Sequence, residues 1–108
     1  MTTKEALTFA ARLKLRISKD EQDERVSQVL KELSLFPVEN TRIGSKKTKT
    51  LSRSERKLVS IGVELVCDPS LLLLDEPTSG LDSFMALKIV KTLKDQARRG
   101  KTIIATIH

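Results

Sequence analysis

Apolar residues recur at helical spacing in four stretches of the chain and collect into short unbroken runs in two others. Val26, Val29, Leu30 and Leu33 stand at i, i+3, i+4 and i+7, which lines one face of a 3.6-residue helix and sets it against a partner. Leu58, Ile61, Leu65 and Val66 give a second such face, and Ala86, Ile89, Val90, Leu93 and Ala97 a third. Polar residues mark the starts. Thr2 with Glu5, Ser18 with Glu21 and Ser52 with Glu55 each match a capping box, in which two backbone donors of the first turn are satisfied reciprocally. Asp82 can cap the last helix. The spacing therefore predicts helices after Thr2, after Ser18, from near Arg53 and after Asp82. Asp68 and Pro69 stop the third, and Arg98, Arg99 and Gly100 form a C-terminal stop for the fourth. Phe36, Pro37 and the polar run to Thr50, with Asn40 and Gly44, read as a loop and as the clearest internal break.

The two unbroken runs read as strands. Leu71 to Leu74 is wholly apolar, as in a strand buried on both faces, and Thr102 to Ile107 is rich in β-branched residues. Strand, helix, strand over about forty residues is a βαβ unit, whose strands must run parallel with a right-handed crossover. The C-terminal half is accordingly expected to be α/β. In a parallel sheet the ligand crevice lies beyond the carboxyl ends of the strands. Asp75 and Glu76 follow the first strand and His108 closes the second. An aspartate there can hold Mg²⁺ on a nucleoside triphosphate, and an adjacent glutamate can orient and deprotonate the attacking water. An acidic turn after a strand accounts for the same two residues equally well.

Composition narrows the field. At 108 residues, 39% hydrophobic and 31% charged, the chain has room for one small domain at most. The longest apolar run is four residues, so neither a signal peptide nor a membrane span is expected. One cysteine, Cys67, and one histidine exclude an internal disulfide and a Cys/His metal cluster. Cys67 closes an apolar helix and reads as a packing residue, and a reducing intracellular compartment fits. The net charge of +6 lies in Arg42 to Lys57, where seven basic residues face Glu55 alone. Such a cluster can attract nucleic acid or anionic lipid. With only Phe9, Phe36 and Phe84 as aromatics to stack bases, a solvated loop is the better reading and no nucleic-acid partner is expected.

The continuation past the acidic pair is the most specific feature. Asp75-Glu76-Pro77-Thr78-Ser79-Gly80-Leu81-Asp82 resembles the Walker B motif and D-loop of ATP-binding-cassette (ABC) proteins over eight consecutive residues. Leu51-Ser52-Arg53-Ser54-Glu55 stands where that family has its signature motif, and His108 where it has its switch histidine. Leu7 to Leu13 and Glu55 to Gly62 resemble the G subfamily of exporters. The resemblance implies part of a P-loop NTPase fold of the ABC ATPase type: residues 1–67 a helical subdomain ending in the signature helix, then residues 68–108 a βαβ unit with Walker B, D-loop and H-loop.

The resemblance also implies roles. Asp75 would hold Mg²⁺ through water, Glu76 would be the catalytic base, and His108 would contact the γ-phosphate and the attacking water. Ser52, Arg53, Ser54 and Glu55 would meet ATP bound to the opposite subunit, since a helix N-terminus suits a phosphate. Ser79, Gly80 and Asp82 would line the dimer interface. ATP and Mg²⁺ are thus the implied cofactors. The implied partners are a second nucleotide-binding domain, in a homo- or heterodimer, and a transmembrane domain in the same full-length chain that holds the ATPase at the cytoplasmic face of a membrane.

Two departures bear on activity. The family signature usually has glycines where this chain has Arg53 and Ser54. Glycine lets backbone N–H groups approach a phosphate, whereas arginine brings both bulk and a charge that binds phosphate itself. Slow or absent hydrolysis at the site using this signature is expected. No Gly-x-x-x-x-Gly-Lys-Ser/Thr loop occurs in the sequence, and Gly44, Gly62, Gly80 and Gly100 are too scattered to make one. A chain that closes on His108 after an apolar strand is expected to be a fragment. A catalytically inactive ABC remnant and a soluble, non-transport ABC ATPase are the alternatives to a piece of an exporter.

Overall fold

The structure is a computed structural model that describes residues 1–43 and 51–106. The chain divides into two compact units, Met1–Cys67 and Asp68–His108. Residues 44–50 of the expected loop and the strand end at Ile107 and His108 lie outside the described residues.

The first unit holds α1 (Thr3–Lys14), α2 (Lys19–Glu32), a 3-10 turn (Phe36–Val38) and α3 (Arg53–Val66). Each of the three starts is capped as its sequence dictates. The hydroxyls of Thr2, Ser18 and Ser52 accept from the backbone N–H three residues on, at 3.1 to 3.2 Å, and the glutamate at that position accepts from the cap's own N–H. In the first box the Thr2 N–H and hydroxyl hold the Glu5 carboxyl below its ordinary pKa.

The helices pack pairwise around one apolar interior. Leu7 and Ala11 of α1, Val26, Val29 and Leu30 of α2, Leu33 at its C-cap, and Leu58, Leu65 and Val66 of α3 are all buried. α3 comes close to the other two at Gly62, where a built Cβ would stand 3.2 Å from both Leu33 Cδ1 and Leu7 Cδ2. Polar ties fix the ends. Arg12 donates to Gln22 Oε1 at 2.7 Å and to Asp23 Oδ1 at 2.8 Å, while Gln22 Nε2 donates to the Leu15 carbonyl at 3.0 Å. Arg25 donates to the Leu65 carbonyl at 2.6 Å, a cation at the carbonyl-rich end of α3. Cys67 caps that end with its thiol donating to the Val63 carbonyl, and burial pushes the thiol pKa up, as befits a packing residue.

The stretch after α2 is more ordered than a plain loop. Ser34 takes a left-handed conformation, φ 54°, and lets the Leu35 N–H reach the Leu30 carbonyl at 2.8 Å and the Ser34 N–H the Lys31 carbonyl at 3.1 Å. This is a Schellman stop with serine in place of glycine. The chain then returns to pair Arg42 with Thr2 in an antiparallel bridge.

The second unit is β1 (Leu71–Asp75), α4 (Ser83–Arg98) and β2 (Thr102–Thr106). The strands are parallel, with Leu71 opposite Thr102 and Asp75 opposite Thr106. Lys101 and Asp68 form an ion pair at 2.7 Å at the starting edge. Gly100, φ 91°, ends α4 as expected.

The expectation of a strand buried on both faces is corrected. Leu72 is 2% exposed, but Leu71, Leu73 and Ile104 are 51, 65 and 52% exposed. Alternate residues of a strand point to opposite faces, and among the described residues of this unit only one face carries a helix. The stripe of α4 is likewise half covered: Ile89 is buried with Thr92 and Gln96, whereas Val90 and Ala97 are exposed. Two strands are too narrow to cover it, and an apolar groove lined by Val90, Leu93, Ala97, Ile103 and Ala105 remains. No helix among the described residues is long and apolar enough to cross a membrane.

Candidate functional site

The carboxyl edge of the two-stranded sheet is where the acidic pair sits. Asp75 is the last residue of β1 and faces Thr106, the last of β2. The Thr106 hydroxyl donates to Asp75 Oδ1 at 2.6 Å, the length of a charge-assisted O–H···O⁻ bond. The Glu76 N–H donates to the Thr106 carbonyl at 2.9 Å and lies 3.3 Å from its hydroxyl oxygen. Both strand ends are therefore pinned at their last residues.

Immediately beyond, the chain bends. Glu76 has φ 45°, the left-handed region that costs a residue with a Cβ roughly 1 kcal/mol. The bend closes through the Ser79 N–H to the Glu76 carbonyl at 3.1 Å and the Leu81 N–H to the Thr78 carbonyl at 3.3 Å, with Gly80 at φ 76°. Pro77 is buried beneath the turn while Ser79 and Gly80 are exposed. Asp82 then caps α4, its Oδ1 accepting from the Met85 N–H at 2.8 Å. The eight residues Asp75 to Asp82 thus form one unit: strand end, left-handed bend, turn, cap.

Asp75 is exposed, and its Oδ2 has no protein partner among the described residues. No group of three or more His, Cys, Asp and Glu among those residues could cage a metal. One free carboxylate edge is nonetheless what Mg²⁺ on a triphosphate requires, because that ion keeps several waters and takes its remaining ligands from the phosphates. The donor set fits nucleotide-borne Mg²⁺.

The signature residues lie in the first unit. Ser52 is the N-cap of α3, Arg53 its first residue, exposed, and Ser54 and Glu55 follow, half-buried. Helix geometry leaves the N–H groups of the first turn without intrahelical carbonyls. Glu55 is engaged with Ser52 through the capping box. Of the basic cluster, Arg42, Arg53, Arg56 and Lys57 are described; Lys46, Lys47 and Lys49, like His108, lie outside the described residues.

Sequence reading did not single out Thr106. A threonine within a β-branched run reads as strand propensity, and only the register sets its hydroxyl opposite Asp75.

Comparison with known proteins gives a consistent set of relatives. A protein-family model described as "ABC transporter" matches residues 1–79. The chain is similar over its whole length to ABC transporter G family member 22 of Arabidopsis thaliana, at 49% identity and 15% of that protein's length. It is also similar over its whole length to the broad substrate specificity ATP-binding cassette transporter ABCG2 of Rattus norvegicus, at 44% identity and 17% of its length. The chain thus spans about one sixth of the curated relatives it matches. Among solved structures it is similar to the ATP-binding cassette MJ0796, a dimer in a post-hydrolysis state bound to ADP and Pi. The TM-score is 0.85 at 28% identity, covering 100% of this chain and 46% of that one.

Proposed function

This chain belongs to the ABC transporter family, as a partial nucleotide-binding domain of the G-family kind, and we propose that in a complete exporter it couples ATP hydrolysis to transport. The observation that carries the proposal is the carboxyl edge of the parallel sheet. Asp75 ends β1 there and Glu76 follows it, the first tied to the Thr106 hydroxyl and the second on a left-handed bend.

On this reading Asp75 holds Mg²⁺ through water, and the ion would supply charge neutralisation at the β- and γ-phosphates. Glu76, one residue on, orients the attacking water and takes its proton. His108 contacts the γ-phosphate and that water. Ser52, Arg53, Ser54 and Glu55 present the start of α3 to ATP held by a second nucleotide-binding domain, where the N–H groups and helix dipole favour an anion. Ser79, Gly80 and Asp82 line the interface between the two. The dimeric state of the solved relative supports a paired arrangement. The transmembrane partner and the cytoplasmic face of a membrane are carried over from the transporters that the chain resembles. The division into residues 1–67 as helical subdomain and 68–108 as ATPase core is part of the same proposal, supported by the two compact units.

The test is Mg²⁺-dependent ATP hydrolysis by the complete membrane-reconstituted protein carrying this chain. Asp75→Asn is expected to lower turnover roughly tenfold or more. Hydrolysis that does not change in that variant overturns the reading.

A second reading, an inactive composite site, is favoured by one specific feature: the exposed Arg53 at the first position of α3. A bulky cation there obstructs the close backbone approach that glycine allows. Arg53→Gly combined with Ser54→Gly is expected to raise ATP turnover several-fold in the same assay. Unchanged turnover would overturn this second reading.

A further inference from the structure

We infer that Thr106 is a positioning residue for the reaction: its hydroxyl fixes the Asp75 carboxylate in the orientation in which that carboxylate receives the metal-bound water. The inference rests on the reading of Asp75 as the metal-holding residue and adds to it a group that sets the geometry from the neighbouring strand.

The direction of each bond at Thr106 is forced. A peptide N–H only donates, so where the Glu76 N–H lies 3.3 Å from Thr106 Oγ1 the hydroxyl oxygen is the acceptor. The single hydroxyl proton then goes to Asp75 Oδ1 at 2.6 Å, since an ionised carboxylate only accepts. The hydroxyl is thereby locked from both sides. It saturates one direction on Oδ1 and leaves Oδ2 without a protein partner among the described residues.

The need for such a tie follows from exposure. Asp75 lies at an open strand end and is exposed. An aspartate carboxylate has a broad terminal torsion, so without a partner it samples many orientations. Thr106 is its one hydrogen-bonding side chain among the described residues, and the two stand opposite each other only because β1 and β2 pair in parallel with Asp75 against Thr106. The main-chain bond from the Glu76 N–H to the Thr106 carbonyl, 2.9 Å, does not depend on the side chain. Loss of the hydroxyl therefore leaves the Glu76 bend in place and frees the Asp75 carboxylate. The signature of that loss is weaker metal capture with turnover recovered at saturating metal.

The experiment is a titration of Mn²⁺, read by its electron paramagnetic resonance signal, into the complete protein loaded with a non-hydrolysable ATP analogue. Wild type, Thr106→Val, Thr106→Ser and Asp75→Asn are compared, with Mg²⁺ half-saturation of ATPase measured beside it. Thr106→Val keeps the shape and removes the hydroxyl. It is expected to raise the Mn²⁺ half-saturation concentration roughly tenfold, the low end of the cost of losing a carboxylate's hydrogen-bonded support. Turnover at saturating Mg²⁺ should stay within about twofold, and Thr106→Ser should restore metal binding to within about twofold of wild type. Should Thr106→Val fail to fold, Thr106→Ala is read against the same expectation. A valine or alanine variant with wild-type metal affinity, beside a weakened Asp75→Asn, overturns the positioning role and leaves the site reading standing. So does a serine variant weakened as much as valine, because strand-end packing would then be the cause. An Asp75→Asn variant with unchanged metal affinity overturns the site reading and this inference together.

Discussion

Glu76→Gln in the complete transporter is expected to reduce ATP turnover by about two to four orders of magnitude, the range a positioned general base contributes, while leaving nucleotide binding intact. The amide keeps the size and the hydrogen-bonding edge of the glutamate but cannot accept a proton from water. The bend at φ 45° keeps its main-chain bonds in this variant, since the Glu76 N–H to the Thr106 carbonyl and the Ser79 N–H to the Glu76 carbonyl are both formed by backbone atoms. The measurement is single-turnover hydrolysis beside equilibrium binding of a fluorescent ATP analogue. Hydrolysis within a few-fold of wild type would remove Glu76 from the role of base. Joint loss of binding and hydrolysis would show that it shapes the site instead.

The second large effect concerns stability. Gly62 stands inside α3, where glycine costs about 1 kcal/mol relative to alanine, and the structure supplies the reason for it. A Cβ at this position would meet Leu33 Cδ1 and Leu7 Cδ2 at 3.2 Å and Val29 Cγ1 at 3.5 Å. Gly62→Ala gains helix propensity and crowds two leucine methyl groups by a few tenths of an ångström, so the two terms offset to within about 1 kcal/mol. Gly62→Leu adds three further carbons to a filled interior and is expected to cost about 3 kcal/mol. A domain commonly has only about 5 to 15 kcal/mol in all. Urea unfolding of the three proteins checks this. A leucine variant with the wild-type midpoint would mean that α1, α2 and α3 do not meet at this point. Because Ser52 caps the same helix ten residues before Gly62, a displaced α3 should also lower ATP turnover on the function proposed above.

The relatives sharpen what each substitution reads. Chains similar over this whole length at 44 to 49% identity are G-family transporters roughly six times longer. Stability effects such as that of Gly62 belong to the first compact unit, whereas the effects at Asp75, Glu76 and Thr106 require the complete protein with its nucleotide.

The helix starts were legible in the sequence, because a capping box is closed by atoms three residues apart and needs nothing from the rest of the chain. Ser52, Glu55 and the start of α3 at Arg53 are found where the pattern placed them. Strand type and parallel pairing were legible for a related reason, since a single helical crossover admits only the parallel arrangement. The Asp75 to Asp82 run could be read as one motif because its order is entirely local.

Other features depended on groups distant in sequence. Three residues with a Cβ, Ser34, Asp68 and Glu76, adopt left-handed backbone, and nothing in their type announces it; the packing on either side requires the turn. The bridge from Thr2 to Arg42 joins residues forty apart and turned an expected loop into ordered chain. Leu71 and Leu73 looked like buried strand residues, yet a strand's burial is decided by what covers each face, and among the described residues of this unit only one face carries a helix. Asp75 was visible as a carboxylate at a strand end, but its partner was not. The sequence alone determined the elements, their order and the acidic pair, because capping, periodicity and turn chemistry act over a few residues. Only the tertiary structure decided the register, and with it that Thr106 stands opposite Asp75, because the pairing of two strands is fixed by hydrogen bonds between residues some thirty positions apart.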